Sequence, residues 1–198
     1  MSADPQHRSL SLVTSTCSAA GPLSRRGESI VRRWDPEAQL VGALMYLSAV
    51  RAAPILELVP DSALRQPDNR WAIEIIRQLV AENTDPDPVA VLHTARSRGP
   101  TNSHPEARVS ARRHHGFAVH LADLYSQTVV PALVRQYARE VLDDAFQRAV
   151  GEHGNRLSQL AERGADRAEL TDYITGMRSA LADMWRRAEA AQHRMAQR

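Results

Sequence analysis

Lysine is absent from this sequence, and all 25 basic residues among its 198 are arginine. A phosphate-binding P-loop, G-x-x-x-x-G-K-[ST], needs its lysine to contact the β- and γ-phosphates of a nucleotide. Schiff-base and lysine general-base mechanisms need an amine whose pKa can be lowered. These kinds of chemistry are therefore excluded. The formal net charge of +2 is close to balance and indicates no particular partner.

Cysteine, aromatic residues and long apolar runs are also scarce. The single cysteine, Cys17, excludes an intrachain disulfide, which is typical of a protein from a reducing cytoplasm. Two phenylalanines and four tyrosines provide little material for stacking single-stranded nucleic acid bases. No apolar run approaches the ~20 residues of a membrane span. We therefore expect a soluble, cytoplasmic protein without membrane contact.

Three segments lack a sustained apolar period. Residues 1–33 are rich in Ser, Pro, Gly and Arg and predict a disordered basic tail, and 193–198 predict a short disordered end. Residues 101–115 are polar and basic, and they predict a loop insertion. Because a chain of this length can bury one sizeable core, we expect one folded unit between these ends.

Helix signals divide the folded unit into a head and a hairpin. Helix starts in the head are predicted at Asp35-Pro36, Pro54, Pro67-Asp68, Asp87-Pro88 and Phe117. These five helices predict a small orthogonal head over residues 34–128. Two longer apolar patterns, separated by a turn at Gly164, predict a long antiparallel αα-hairpin over 129–192. Because no strand-length run alternates with period two, the predicted fold class is all-α.

Five short motifs, in order and with similar spacing, resemble the N-terminal domain of the bacterial DnaB-type replicative DNA helicase family. The segment PEAQLVGALM, from Pro36, is similar to the family's E-A-E-x-x-[VL]-[LI]-G-[AS]-[LM]. LRQPDNRWAI, from Leu64, is similar to F-Y-x-P-x-H-[RK]-x-[IL], with Asn69 in place of the histidine. GFAVHLADL, from Gly116, resembles G-G-x-x-Y-L-x-x-L. The segments at 79–88 and 137–142 resemble L-x-x-x-G-x-P-[IV]-D and Y-[AV]-x-x-[VI]-[RK].

The resemblance covers about residues 34–190. It implies a domain that, in the family, pairs through its hairpin and forms a collar on the helicase ring where primase docks. A complete family helicase continues into a RecA-like ATPase, whereas this sequence ends at Arg198 without one. We therefore expect a non-enzymatic, replication-associated interaction module. Its expected partners are primase and/or the full-length replicative helicase.

The hairpin has more apolar residues than two helices can bury between them, so the surplus must cover the head or another copy. We predict a homodimer, or a ring-like higher oligomer, with Phe146 or Trp185 near the centre of its interface. The residues predicted to form this interface are Phe146, Leu170, Ile174, Met177, Leu181, Met184 and Trp185.

A second hypothesis is a small DNA-binding or regulatory protein that uses the basic tail and the Arg108–Arg113 segment. Arg108 and Arg112 are four residues apart, so on a helix they would share a face and contact neighbouring phosphates. Together with Arg113 they provide a weak, salt-sensitive contact. The two hypotheses predict different partners, protein in the first and nucleic acid in the second.

Residue spacing provides no candidate for catalysis, a metal or a cofactor. Asp143 and Asp144 are adjacent, and on a helix adjacent side chains point about 100° apart, which makes a poor catalytic pair. His115 and His120 are five residues apart, whereas metal sites on helices use a spacing of four. We therefore predict no catalytic residue and no metal or cofactor site.

The missing lysine makes a direct prediction about activity. The purified chain should hydrolyse no ATP and unwind no DNA, because it has no lysine to hold the nucleotide phosphates. A coupled ATPase assay, run with and without single-stranded DNA, measures this. Hydrolysis that survives further purification and is abolished by a point substitution in this chain would contradict the prediction.

Overall fold

The structure is a computed structural model that describes residues 35–100 and 109–193. Within these residues it contains seven α-helices, two short 3-10 turns and no strand. The helices are α1 (Pro36–Leu44), α2 (Ala49–Leu56), α3 (Pro67–Ala81), α4 (Pro88–Ser97), α5 (Ala111–Gln127), α6 (Val134–Glu162) and α7 (Arg167–His193). The predicted all-α fold, with five head helices and a helical hairpin, is confirmed.

Some predictions lie outside the described residues. These are the tail at 1–33, Arg108 and most of the predicted C-terminal end, since α7 continues to His193. No single described helix is long and apolar enough to span a membrane, and α5 with the segment 131–162 meets that test only as a pair bent by 98°, on length and composition alone.

Two predicted helix starts were wrong. α2 begins at Ala49, with Pro54 inside it, because the Asp85 carboxylate accepts a hydrogen bond from the Ala49 backbone N–H (2.8 Å). α5 begins at Ala111 rather than near Phe117, because the Ser110 hydroxyl caps it by accepting from the Arg113 N–H (3.2 Å). The last five residues of the predicted 101–115 loop are therefore helical.

The apolar core joins the head helices to the base of the hairpin. At its centre the rings of Trp71 and Phe117 lie 4.0 Å apart, and each residue is 1% exposed. The indole N–H of Trp71 donates to the Arg98 carbonyl (3.2 Å), which satisfies its one polar atom. This aromatic pair fixes α3 against α5.

α1 lies against the C-terminal end of α5 through a polar clamp and a close approach. The Gln39 side-chain amide donates to the Gln127 carbonyl (3.0 Å) and accepts from the Val129 N–H (2.8 Å). At Gly42 a Cβ would lie 2.5 Å from the Leu124 carbonyl oxygen and would collide with the Thr128 hydroxyl. Only glycine allows this separation between α1 and α5.

The hairpin turns at Gly164 and is fixed to the head at its base. Gly164 has a φ of +71°, in the left-handed region that favours glycine after a helix. Arg148 of α6 donates to the Ala63 carbonyl (2.7 Å), and Arg187 of α7 donates to the Glu57 carbonyl (3.1 Å). The base of the hairpin therefore belongs to the same folded unit as the head.

Gly42→Ala should lower the free energy of unfolding by about 1–3 kcal/mol, because the added methyl group has no space between α1 and α5. Urea denaturation followed by circular dichroism measures the loss. Gly116→Ala is the matched control, since a Cβ at Gly116 meets nothing within 4 Å. If the two variants are equally stable, the close approach at Gly42 does not limit packing.

Candidate interaction surfaces

The seven residues predicted to form an oligomer interface differ in exposure. Trp185 is 58% exposed and Ile174 is 40% exposed. The others are partly buried: Phe146, Leu170, Met177, Leu181 and Met184. Those on α7 follow the seam along which α6 and α7 pack against each other. The seam residues hold the hairpin together, and Ile174 and Trp185 are left beside it.

Four apolar residues of the hairpin, three exposed and one partly buried, form one stripe. Ile174 and Trp185 are eleven residues apart on α7, so they point within about 20° of each other. Phe146 and Val150, which is 45% exposed, are one turn apart on α6. On each helix these positions are rotated from the buried seam in the same direction about the helix axis. Because the two helices are antiparallel, the same direction of rotation puts both sets on one side of the hairpin. We call these four residues the outer stripe.

The outer stripe faces away from the head. The opposite side of the hairpin carries the buried residues Val141 of α6 and Ala191 of α7, at 2% and 1% exposure. Arg187, whose guanidinium reaches the Glu57 carbonyl, also lies on that side. The head therefore covers one side of the hairpin base and leaves the outer stripe to solvent.

Two ion pairs of the hairpin are each formed within one helix. Arg139 and Asp143 form an ion pair at 3.5 Å on α6, and Arg187 and Asp183 form one at 2.8 Å on α7. The hydrogen bond from Arg187 lowers the pKa of Asp183, so this carboxyl stays ionised at neutral pH.

The two predicted nucleic-acid contacts that the structure describes have different surroundings. Arg108 lies outside the described residues, and Arg112 is exposed. The Arg113 guanidinium instead pairs with Asp68 (2.6 Å) and lies 5.5 Å from the centre of the Trp71 ring. Arg113 thus fastens the start of α5 to α3.

A buried polar network was missed by the sequence analysis. Glu37 is 7% exposed, and its carboxylate accepts hydrogen bonds from the backbone N–H groups of Arg65 and Gln66 and from the Asn69 side chain (3.0 Å). Asn69 is fully buried, and its carbonyl oxygen lies 2.8 Å from Nε2 of His120. The signal in the sequence was a glutamate, Glu37, within a mostly apolar segment. The network joins α1, α3 and α5.

Asp35 lies beside this network, at the start of α1. Burial raises the pKa of Asp35, and the hydrogen bond from the Glu37 N–H (3.1 Å) opposes that shift. Gln66 donates its side-chain amide to the other carboxylate oxygen (3.2 Å). These bonds make Asp35 the cap of α1 and tie it to the start of α3.

The acidic residues of the described surfaces are dispersed. Within residues 35–100 and 109–193, no group of three or more His, Cys, Asp or Glu is arranged to hold a metal ion. Asp143 and Asp144 are both exposed on α6.

A solved structure with a similar fold is known. The sequence matches no protein-family model and no curated protein. The crystal structure of the N-terminal domain of DnaB helicase from Mycobacterium tuberculosis aligns with a TM-score of 0.61 and 25% identity, over 73% of this chain and 94% of that chain. The chain is a DnaB N-terminal-domain-like protein. The resemblance read from the motifs is confirmed, and it suggests a module like the helicase collar.

In this DnaB-like domain, Arg112→Ala and Arg113→Ala should have different effects. Arg113→Ala removes the contacts with Asp68 and Trp71 and should cost roughly 0.5–1.5 kcal/mol of stability, a modest value because the ion pair is half exposed. Arg112→Ala should stay within about 0.5 kcal/mol of the wild type. Urea denaturation measures both.

The same variants test the DNA-binding hypothesis. If it is right, Arg112→Ala weakens binding of fluorescent duplex DNA at low salt while leaving stability unchanged. Failure of the wild type to bind DNA at low salt removes the hypothesis.

Proposed function

We propose that this chain is a replication-associated protein-interaction module that binds primase and/or the replicative helicase and self-associates, with no motor activity of its own. The observation that carries the proposal is the alignment with a DnaB helicase N-terminal domain, 94% of which is matched at 25% identity. The aligned 73% of this chain is more than the residues that precede the hairpin, which supports a resemblance in the hairpin as well as in the head.

The outer stripe supports self-association. Two of its members, Ile174 and Trp185, are 40% and 58% exposed on the side of the hairpin that the head leaves uncovered. They span about 16 Å of α7. Large exposed apolar side chains are the usual centre of a protein interface, and tryptophan contributes most to such centres. A second copy offers the same stripe, so a two-fold axis would bury both at once.

The similarity to a helicase domain supports a partner among replication proteins. A module that presents a helicase-like hairpin offers a replicative helicase, or the primase that meets its collar, a surface of similar shape. We therefore propose primase and/or the replicative helicase as partners. The outer stripe of this chain is the proposed contact with them. Binding of this kind needs no chemistry from the chain itself.

Trp185→Asp and Ile174→Asp should dissociate the self-associated protein, because each puts a charge into an apolar contact. Val89→Asp is the matched control, since Val89 is 77% exposed on the head. Sedimentation velocity at micromolar concentration measures the result. Leu181→Asp is less informative because Leu181 is partly buried in the hairpin seam, where the change also disturbs folding.

The expected outcome is a dimer or a larger multiple for the wild type and Val89→Asp, and a folded monomer for the two hairpin variants. A wild type that stays monomeric at high concentration, with a well-folded helical spectrum, would refute self-association. Binding to the purified primase and replicative helicase of the same organism is then measured by interferometry. If neither binds the wild type, the replication role fails even where self-association holds.

A further inference from the structure

The hairpin has a base that is held by the head and a distal arm that is not. At the base, Arg148 and Arg187 donate to head carbonyls at 2.7 and 3.1 Å, and Ala149 is 7% exposed. Between residues 150 and 186 Leu160 is the one buried side chain. We define the distal arm as residues 152–175. Few buried contacts and exposed helix backbone are the marks of low local stability.

Three glycines lie where the distal arm meets the base. Gly151 and Gly154 are in the interior of α6, and Gly176 is in the interior of α7. The hydrogen bond between His153 Nδ1 and the Tyr173 hydroxyl (2.7 Å) sets the register of the two helices. In that register Gly151 and Gly176 are at the same height, within about one residue. Both helices therefore have a weak residue at one level.

Packing does not require these glycines. A Cβ built at Gly151, Gly154 or Gly176 meets no other atom within 4 Å. Among the described glycines the left-handed φ belongs to Gly164, so backbone conformation does not require glycine at these three positions either. Glycine in a helix interior is nevertheless less stable than alanine, because its backbone loses more freedom on folding. The three positions lower helix stability with no gain in packing.

We propose that Gly151, Gly154 and Gly176 form a joint at which the distal arm bends against the base of the hairpin. Because Gly151 and Gly176 weaken both helices at one height, with Gly154 one turn further along α6, the arm moves as a pair of helices, held together by the His153–Tyr173 bond and by the turn. Val150 and Ile174 of the outer stripe lie beside the joint, whereas Trp185 lies on the base. Bending therefore changes the shape of the outer stripe without unfolding the head.

The test replaces all three glycines by alanine in the full chain. Hydrogen exchange of the amides in 150–160 and 170–177 should slow by at least about tenfold, because each alanine stabilises the helix locally. Spin labels on Val89→Cys and Glu162→Cys, in a Cys17→Ser background, report the distance between head and arm. Double electron–electron resonance should give a broad distribution of spin–spin distances for the wild-type glycines and a narrow one for the triple variant.

Gly116→Ala is the matched control, because Gly116 lies in α5, outside the hairpin, and also has open space around it. It should change neither the exchange of the arm nor the distance distribution. A wild-type distribution as narrow as that of the triple variant, with equal exchange rates in the arm, overturns the joint. The measurement is made on the chain alone, so its outcome is independent of primase or helicase binding.

Discussion

The buried carboxylate of Glu37 is the interaction on which the head depends. A buried charge is costly unless hydrogen bonds replace its water. Glu37 obtains these bonds from the backbone that leads into α3 and from Asn69, so α1 can take its central place only if α3 begins where it does. From that position α1 also contacts α5, α6 and the turn between them. The Glu37 side chain thereby helps to position the head helices against the base of the hairpin.

The same network explains how the fold persists where the sequence departs from the helicase motifs. Asn69 stands where the family has histidine, and His120 stands where its G-G-x-x-Y-L motif has tyrosine. The two departures are bonded to each other at 2.8 Å. Because the Asn69 amide donates to Glu37, its carbonyl oxygen faces His120, which must carry its proton on Nε2. Two changes at contacting positions can preserve a buried bond that either alone would break.

Local signals predicted the helices whose ends are set locally. The Asp-Pro pairs at Asp35 and Asp87 mark the starts of α1 and α4, and both aspartates cap their helices as expected. The start of α2 depends on Asp85, 36 residues away, which no local pattern reveals. Ser110 was a local signal that we overlooked beside the polar, basic residues around it. Likewise the periodicity of α7 located its apolar residues, but it did not separate the seam from Ile174 and Trp185 beside it.

The head is held together by polar clamps, whereas the hairpin carries the apolar surface proposed for binding. Polar clamps at Glu37, Gln39 and Arg77 fix the head; Arg77 alone donates to the carbonyls of Leu56 and Val59 and pairs with Asp61. The outer stripe lies on the side of the hairpin that the head does not cover, and its apolar side chains can serve a partner only if this chain does not bury them itself. The contacts that stabilise the head therefore do not use the residues of the outer stripe. The constraint that leaves the stripe exposed is the head's position on the other side of the hairpin base.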